Sequence, residues 1–515
     1  MPHLPSTHLS EEEVRRDRLS KIQQQGISPY PTKANRTHTI ADFLTQFETS
    51  NQLSFTLVGR ILTIRKHGGL LFFHLKDETG RVQVLFKRDL LTEALYNQFC
   101  ELLDMGDYIE VTGKPFVTQK GEQTLQADSY KLISKTILPL PEKWHGFADP
   151  EKRFRKRYLD ILMNEEVAKR LRLRSKIISS LRNILDERGF LEVETPTLQP
   201  VYGGGFAKPF KTHHNALDQD FYLRISDELY LKRLLVGGFE KIYEITKVFR
   251  NEGIDHDHNP EFTMLEAQIA YEDYLYGMDL FEMLFESTAQ HVLGTTKIQH
   301  EQNIIDVKRP WKRLRLIEAV ESIGNIPITL WENEQKARDL IRSKITPEKY
   351  SELDRLGSIG EIMAFAFEEL VEDSLIQPTI IYDYPVEVSP LAKKNQKDPR
   401  FVERFEAFAL GSEIGNNYSE LNDPIDLEER FLFENKKEQA GFEEAHQKDF
   451  GYLEAIKHGM PPACGIGIGV DRMVMLLTGT SNIKEVILFP TLRSQETEDK
   501  EDEILYGSSN MDRNS

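Results

Sequence analysis

Two arginine-bearing segments, far apart in the chain, carry residue types that could hold a nucleotide. Phe249-Arg250-Asn251-Glu252-Gly253 is followed by a short polar loop and then by His258-Asn259-Pro260-Glu261-Phe262-Thr263. The pattern predicts a strand, loop and strand hairpin that offers a guanidinium to a phosphate and an aromatic face to a purine. The planar fork of donors suits arginine to that work. A surface hairpin with an incidental arginine is the alternative. Further on, Gly465-Ile466-Gly467-Ile468-Gly469-Val470-Asp471-Arg472 reads as a glycine-rich strand that runs into an apolar helix, Met473 to Leu477. Alternating glycines also mark a strand crossed closely by another backbone. Their spacing does not fit the GxGxxG dinucleotide fingerprint either, so the glycines alone decide nothing.

The elements that must position these residues fall into an α+β pattern. Residues 1–54 mix a charged helical start with the loop signals Gly26, Pro29, Pro31 and Asn35, which reads as an arm. Within 55–137, short β-rich runs follow one another at Phe55 to Leu62, Leu70 to Asp77, Arg81 to Phe86, Asp107 to Gly113 and Thr124 to Ser134. A helical stretch near Leu90 to Leu103 separates the third from the fourth, which suits a small Greek-key barrel of the OB type. The prolines of Leu138-Pro139-Leu140-Pro141 mark 138–150 as a linker. From Glu165 to Arg188, apolar residues at helical spacing end at Gly189, a helix stop. The rest of 151–495 alternates β-rich runs with helices around a largely antiparallel sheet. A helical insertion is expected at about 273–373, and 496–515 is an acidic tail.

Composition narrows the class. With 39% hydrophobic and 29% charged residues, the 515-residue chain is of ordinary globular type, large enough for two or three domains. No apolar run of membrane-spanning length occurs and the start lacks a secretory pattern, so a cytoplasmic protein without a membrane partner is expected. Cys100 and Cys464 suggest neither a disulfide framework nor a zinc site. The net charge of -18 argues against general affinity for nucleic acid, so any RNA contact must be local.

Three segments together resemble the signature motifs of the class II aminoacyl-tRNA synthetases, in family order. These are the long helix with Gly189-Phe190-Leu191-Glu192-Val193-Glu194-Thr195-Pro196, the hairpin around Arg250, and the strand ending in Arg472. The HIGH and KMSKS signatures of class I are absent. Within the class the wording is closest to the lysyl-tRNA synthetases, through Pro209-Phe210-Lys211-Thr212-His213-His214-Asn215, Glu228-Leu229-Tyr230-Leu231-Lys232-Arg233, Ser389-Pro390-Leu391-Ala392-Lys393, and Glu413-Ile414-Gly415-Asn416-Asn417-Tyr418-Ser419-Glu420-Leu421-Asn422-Asp423.

The resemblance implies an OB-type barrel ahead of a class II catalytic domain, an antiparallel sheet flanked by helices. It also implies a homodimer acting on ATP, L-lysine and tRNA(Lys), with more than one Mg²⁺ ion per site. By position, Arg250 and Arg472 would be catalytic: Arg250 holding the α-phosphate and the substrate carboxylate, Arg472 sandwiching the adenine with Phe262. Glu252 and His258 would line the ATP site, and Glu406 with Glu413 would carry magnesium through hard carboxylate oxygens. A solvated acidic strand face is the plainer reading of that pair. Gly204 and Glu228 match the positions that receive the α-amino group, Asn416 the carboxylate, and Glu266 with Glu420 the side-chain ammonium. Two departures stand out: Gln268 replaces a common Tyr, and Tyr418 replaces a usual Phe along the aliphatic stem. For the anticodon, Phe72 is the stacking candidate, with Arg65, Gln83 and Glu122 as polar readers; because Phe72 lies in an apolar run, a core role is the lesser alternative. Aspartyl or asparaginyl synthetases share the architecture, but Glu266 and Glu420 would repel an aspartate side chain. A paralogue that loads lysine onto protein would be expected to lack the barrel, and a non-catalytic relative could dispense with the motif residues.

Overall fold

A computed structural model describes residues 9–49, 53–141, 149–205, 207–439 and 449–493. The chain divides into two compact units, Met1–Asp149 and Pro150–Ser515. The acidic tail and most of the expected linker lie outside the described residues.

In the first unit, strands β1 (Phe55–His67), β2 (Leu70–Lys76), β3 (Arg81–Lys87), β4 (Tyr108–Val117) and β5 (Gln123–Ser134) close a barrel in the order β1-β2-β3-β5-β4. β3 and β5 pair in parallel, and the helix Glu93–Leu102 joins β3 to β4. Alternation along β2 points Leu71, Phe73 and Leu75 into the core and leaves Phe72 and His74 half-buried outside. Phe73 stacks on Phe99 with ring centroids 5.2 Å apart. The core role weighed for Phe72 thus belongs to its neighbour.

The second unit is built on an eight-stranded sheet. Its members are β6 (Leu191–Glu192), β10 (Lys241–Phe249), β11 (Glu261–Ala270), β14 (Lys312–Arg315), β15 (Thr379–Pro385), β16 (Phe401–Ala409), β17 (Ser412–Ser419) and β18 (Ala463–Gly469), in the order β14-β15-β16-β17-β18-β11-β10-β6. Only the β6 and β14 pairings are parallel, each at one end of the sheet. A small sheet of β7 (Leu198–Gln199), β8 (Lys211–His214) and β9 (Gln219–Leu223), and a hairpin of β12 (Lys297–His300) with β13 (Asn303–Asp306), complete the strands among the described residues.

One face of the large sheet is apolar. Leu265, Ala267 and Ile269 of β11, Ile466 and Ile468 of β18, and Phe405 and Ala407 of β16 pack beneath the helices Glu165–Asp186, Tyr274–Leu293 and Val470–Thr478. Burying about seven such side chains against helices stabilises the sheet by roughly 1.5–3 kcal/mol each for the larger ones. The intervening residues therefore face the other way, and they are the polar ones. The expectation of a single helical insertion at 273–373 needs correcting on this point. Helix Tyr274–Leu293 packs on the sheet core and Lys312–Arg315 is one of its strands, so the inserted helices are those between Leu316 and Leu370, which form a second cluster around Trp331, Phe365 and Phe367 with Ile381 of β15 and Phe408 of β16.

Candidate active site

Period-two alternation arranges the polar face in rungs. Gln268, Gly465, Tyr418 and Arg404 are register neighbours across β11, β18, β17 and β16, and Glu266, Gly467, Asn416 and Glu406 form the adjacent rung. β18 contributes glycine at both levels, so it forms a side-chain-free floor on which residues from the flanking strands lie. A Cβ at Gly465 would collide with Gln268 Nε2 and Glu420 Oε1. The glycine pattern that was undecided in the sequence is thereby explained by close packing over a cavity. That cavity, of about 360 Å³, is lined by every expected ATP, lysine and magnesium residue: Gly204, Glu228, Arg250, Glu252, His258, Phe262, Glu266, Glu406, Glu413, Asn416, Tyr418, Glu420 and Arg472.

At one end stand the guanidinium groups. β10 and β11 pair up to Phe249 with Glu261, so the loop between them projects Arg250 and His258 beyond the sheet. The Arg250 guanidinium lies over the Phe262 ring, 5.2 Å from its centroid, and its Nε is buried without a hydrogen bond. Burial draws its pKa down while Glu413, Glu252 and Glu266 oppose the shift. Arg472 donates to the Glu413 carbonyl at 2.6 Å and sits 3.1 Å from His258 Nε2. Sequence reasoning missed the residue beneath this end, Arg174. It binds Asp471 and donates to Thr263 Oγ1 at 2.9 Å, tying the long helix to β11 and to the helix after Gly469.

Glu406 and Glu413 meet across β16 and β17. Tyr384 donates to Glu406 Oε2 at 2.7 Å, Arg404 binds the other oxygen, and Asn416 donates to Glu413 Oε1 at 3.2 Å. Glu372, a third carboxyl that the sequence did not single out, is pushed up to about 7 by burial and then by Glu406, Glu368 and Glu413. Mutually repelling carboxyls suit a hard cation. Among the described residues, however, no group of three or more His, Cys, Asp or Glu is arranged to hold an ion by itself. A cation here would draw the rest of its oxygen shell from a polyphosphate or water.

The other end is acidic and buried. Glu266 and Glu420 are 5% and 1% exposed. Ser226 donates to Glu266 Oε1 at 2.7 Å, and burial, with Glu228 adding to it, pushes the Glu266 carboxyl up to about 7. Beside it Asp227 is fully buried with neither oxygen hydrogen-bonded, and burial with Glu266 and Glu244 holds it well above the usual carboxylate range. Gln268 Oε1 and both oxygens of Glu420 are likewise buried without a hydrogen bond. Gly204 adopts φ +85°, and a Cβ there would come within 2.9 Å of Ser226 Oγ, so glycine is required beside Glu228. A further residue, Lys232, binds Glu228 and lies 2.5 Å from Glu420 Oε2. Its signal was the i,i+4 spacing from Glu228.

In the barrel, the four residues expected at the anticodon are brought together on one face, where Gln83 is buried and the other three are not. Arg65 and Phe72 are register partners on β1 and β2, and Gln83 of β3 faces His74. Glu122 lies 3.6 Å from His74 Nε2. His74 was missed, although alternation from Phe72 would have found it.

Comparison with known proteins agrees with this architecture. The family described as tRNA synthetases class II (D, K and N) matches residues 149–493, and the OB-fold nucleic acid binding domain matches 55–133. Relatives called lysine–tRNA ligase include one from Carboxydothermus hydrogenoformans, 47% identical over 94% of this chain and 98% of its own length. Another from Pelotomaculum thermopropionicum is 48% identical over 94% and 95%, and one from Bacillus subtilis is 45% identical over 94% and 97%. The chain belongs to the class II tRNA synthetases of the D, K and N group, with an OB-fold nucleic-acid-binding domain ahead of the synthetase domain.

Proposed function

We propose that this chain is a lysine–tRNA ligase, which activates L-lysine with ATP to lysyl-adenylate and passes the lysyl group to the 3′ end of tRNA(Lys). The observation that carries the choice of amino acid is a set of buried acceptors without a hydrogen bond, Gln268 Oε1 and both Glu420 oxygens, with Glu420 Oε1 over Gly465 beside the Gln268 amide nitrogen. With Glu266 nearby, they offer oxygens to an ammonium and repel a carboxylate. The names of the relatives support the same choice.

Glu228, Gly204 and Asn416 then hold the amino-acid backbone, and Tyr418 packs along the stem. Phe262 and Arg472 flank the adenine, with Glu252 and His258 at the ATP site. The lysine carboxylate attacks the α-phosphorus in line and pyrophosphate leaves. No protein nucleophile is needed, and catalysis rests on positioning plus charge stabilisation by Arg250 and Arg472. Glu406 and Glu413 would hold Mg²⁺, which when bound neutralises the departing polyphosphate. A terminal ribose hydroxyl of the tRNA then attacks the adenylate carbonyl and AMP leaves. The barrel patch of Phe72, Arg65, Gln83 and Glu122 would read the anticodon. The chain would work as a homodimer, a reading supported by the exposed Leu191 and Leu198 beside the sheet edge.

The test is pyrophosphate exchange with each of the twenty amino acids. Exchange with lysine alone is expected. Exchange driven by aspartate or asparagine would overturn the reading.

A further inference from the structure

The acidic end of the cavity already holds a cation belonging to the chain itself. Lys232, on the helix Glu228–Val236, is fully buried. Its Nζ binds Glu228 Oε1, lies 2.5 Å from Glu420 Oε2 and donates to Tyr418 Oη at 3.4 Å. The Tyr418 ring faces it with the centroid 4.9 Å away, and the Tyr418 hydroxyl in turn donates to Glu228. An ammonium has three donors, so Lys232 is saturated by these partners. Burial pulls its pKa down, but Glu228 and Glu420 more than offset this and hold it well above the ordinary lysine range.

We propose that Lys232 is a positioning residue for the amino-acid pocket, whose ammonium ties Glu228 to Glu420 and so sets the spacing at which the pocket reads the two amino groups of its substrate. The inference rests on the reading above, in which Glu228 meets the α-amino group and Glu420 the side-chain ammonium. Lys232 lies against Oε2 of Glu420 and leaves Oε1 over Gly465, on the cavity wall beside the Gln268 amide nitrogen. A carboxylate clamped through one oxygen presents the other in one orientation. The same clamp offsets one unit of the negative charge that Glu228 and Glu420 bring to the pocket. Tyr418 belongs to the clamp because its hydroxyl bridges Glu228 and Lys232, which a phenylalanine could not do.

The test is pyrophosphate exchange by Lys232→Met in the full-length chain, with lysine and with ornithine, which is one methylene shorter. Expected are a rise of at least tenfold in lysine KM, an ATP KM within twofold of the parent, and a narrower preference for lysine over ornithine. A folded variant with lysine KM within twofold of the parent overturns the proposal. So does a matching rise in ATP KM, because a merely structural role would loosen both ends of the cavity. If Lys232→Met does not fold, Lys232→Met with Glu228→Gln keeps the buried charge balanced and is compared with Glu228→Gln alone. A further rise in lysine KM of at least fivefold supports action through Glu420, and any smaller rise overturns it. Glu420→Gln separates the two failures: an unchanged lysine KM there breaks the pocket reading itself, independently of Lys232.

Discussion

The Thr263 amide donates to Asp471 Oδ2 at 2.6 Å, and each partner is the chain neighbour of a residue expected at the adenine, Phe262 and Arg472. The bond thus fixes the slot between an aromatic face and a guanidinium that come from segments about two hundred residues apart. Asp471 is 1% exposed and also binds Arg174, so it joins three elements at once. Asp471→Ala leaves Arg174 uncompensated, and breaking such a buried pair costs about 3–5 kcal/mol. A fall in Tm together with a raised ATP KM and a nearly unchanged lysine KM is expected from thermal melts and steady-state exchange.

Arg250 and Arg472 test the chemistry rather than the scaffold. Neither is packed as a core residue; Arg250 reaches the cavity from just past the end of β10 and Arg472 from the first turn of the helix Val470–Thr478. Removing one preorganised donor to developing charge typically costs about 10²- to 10³-fold in rate. Arg250→Ala and Arg472→Ala should each slow lysine-dependent exchange by at least about 10²-fold while Tm moves little. Near-normal adenylate formation by a folded Arg250→Ala would remove it from the mechanism.

Proton linkage gives the acidic pocket a pH signature. Burial raises the Glu266 carboxyl from 4.5 to about 7, so the folded state without lysine favours the protonated acid. The stability this group contributes is fully present below pH 4.5 and is lost as pH rises through about 7. Burial pushes Glu420 up to about 7 as well, and lysine needs both anions, so its affinity should strengthen over the same rise, by up to tenfold per pH unit for each proton released. The ligand-free protein should therefore melt lower at pH 8 than at pH 6, with a larger lysine-induced Tm shift at pH 8, as differential scanning fluorimetry would record. A lysine-induced shift that is greatest at pH 6 would contradict the assignment.

Much of this site is legible in the sequence because its signals are local. Arg250 and Phe262 stand in one hairpin, and the alternation of Leu265, Ala267 and Ile269 with Met264, Glu266 and Gln268 is enough to assign the two faces of β11. What escapes are residues whose roles arise from contacts across the fold. Arg174 looks like one more charge on an amphipathic helix, and only the packing of that helix brings it to Asp471. Lys232 reads as part of a matching phrase, yet its partner Glu420 is 188 positions away and meets it only because helix and sheet pack together. The helical insertion is narrower than its pattern suggests because a four-residue edge strand, Lys312–Arg315, has too few residues to display alternation.

The barrel patch should separate the two half-reactions. Phe72 is half-buried on the outer surface beside Arg65, so its ring is available to a base, and base stacking on an aromatic is worth about 1–3 kcal/mol by alanine substitution. Phe72→Ala should lower kcat/KM for tRNA charging by roughly 5- to 100-fold and leave lysine-dependent exchange intact. Equal loss of both activities would indicate a structural role for the residue instead.

Gln268 provides the sharpest test of how the ammonium is read. Its side chain is 2% exposed, its Oε1 has no hydrogen bond, and its amide nitrogen lies over Gly465 beside Glu420 Oε1, where the glycine itself adds no side chain. A tyrosine at this position can extend over the same glycine floor and replace the amide acceptor with a phenol oxygen, and it removes a buried orphan acceptor in doing so. Gln268→Tyr should therefore fold and change lysine KM by less than about tenfold, or ~1.4 kcal/mol. The charged partners behave differently. Glu266→Gln and Glu420→Gln each truncate a buried charge partner of the ammonium, a loss of about 2–5 kcal/mol, and should raise lysine KM far more with ATP KM as the internal control. Gln268→Tyr weakening lysine as much as Glu420→Gln would mean that the amide, and not the carboxylates, carries the selectivity of this pocket.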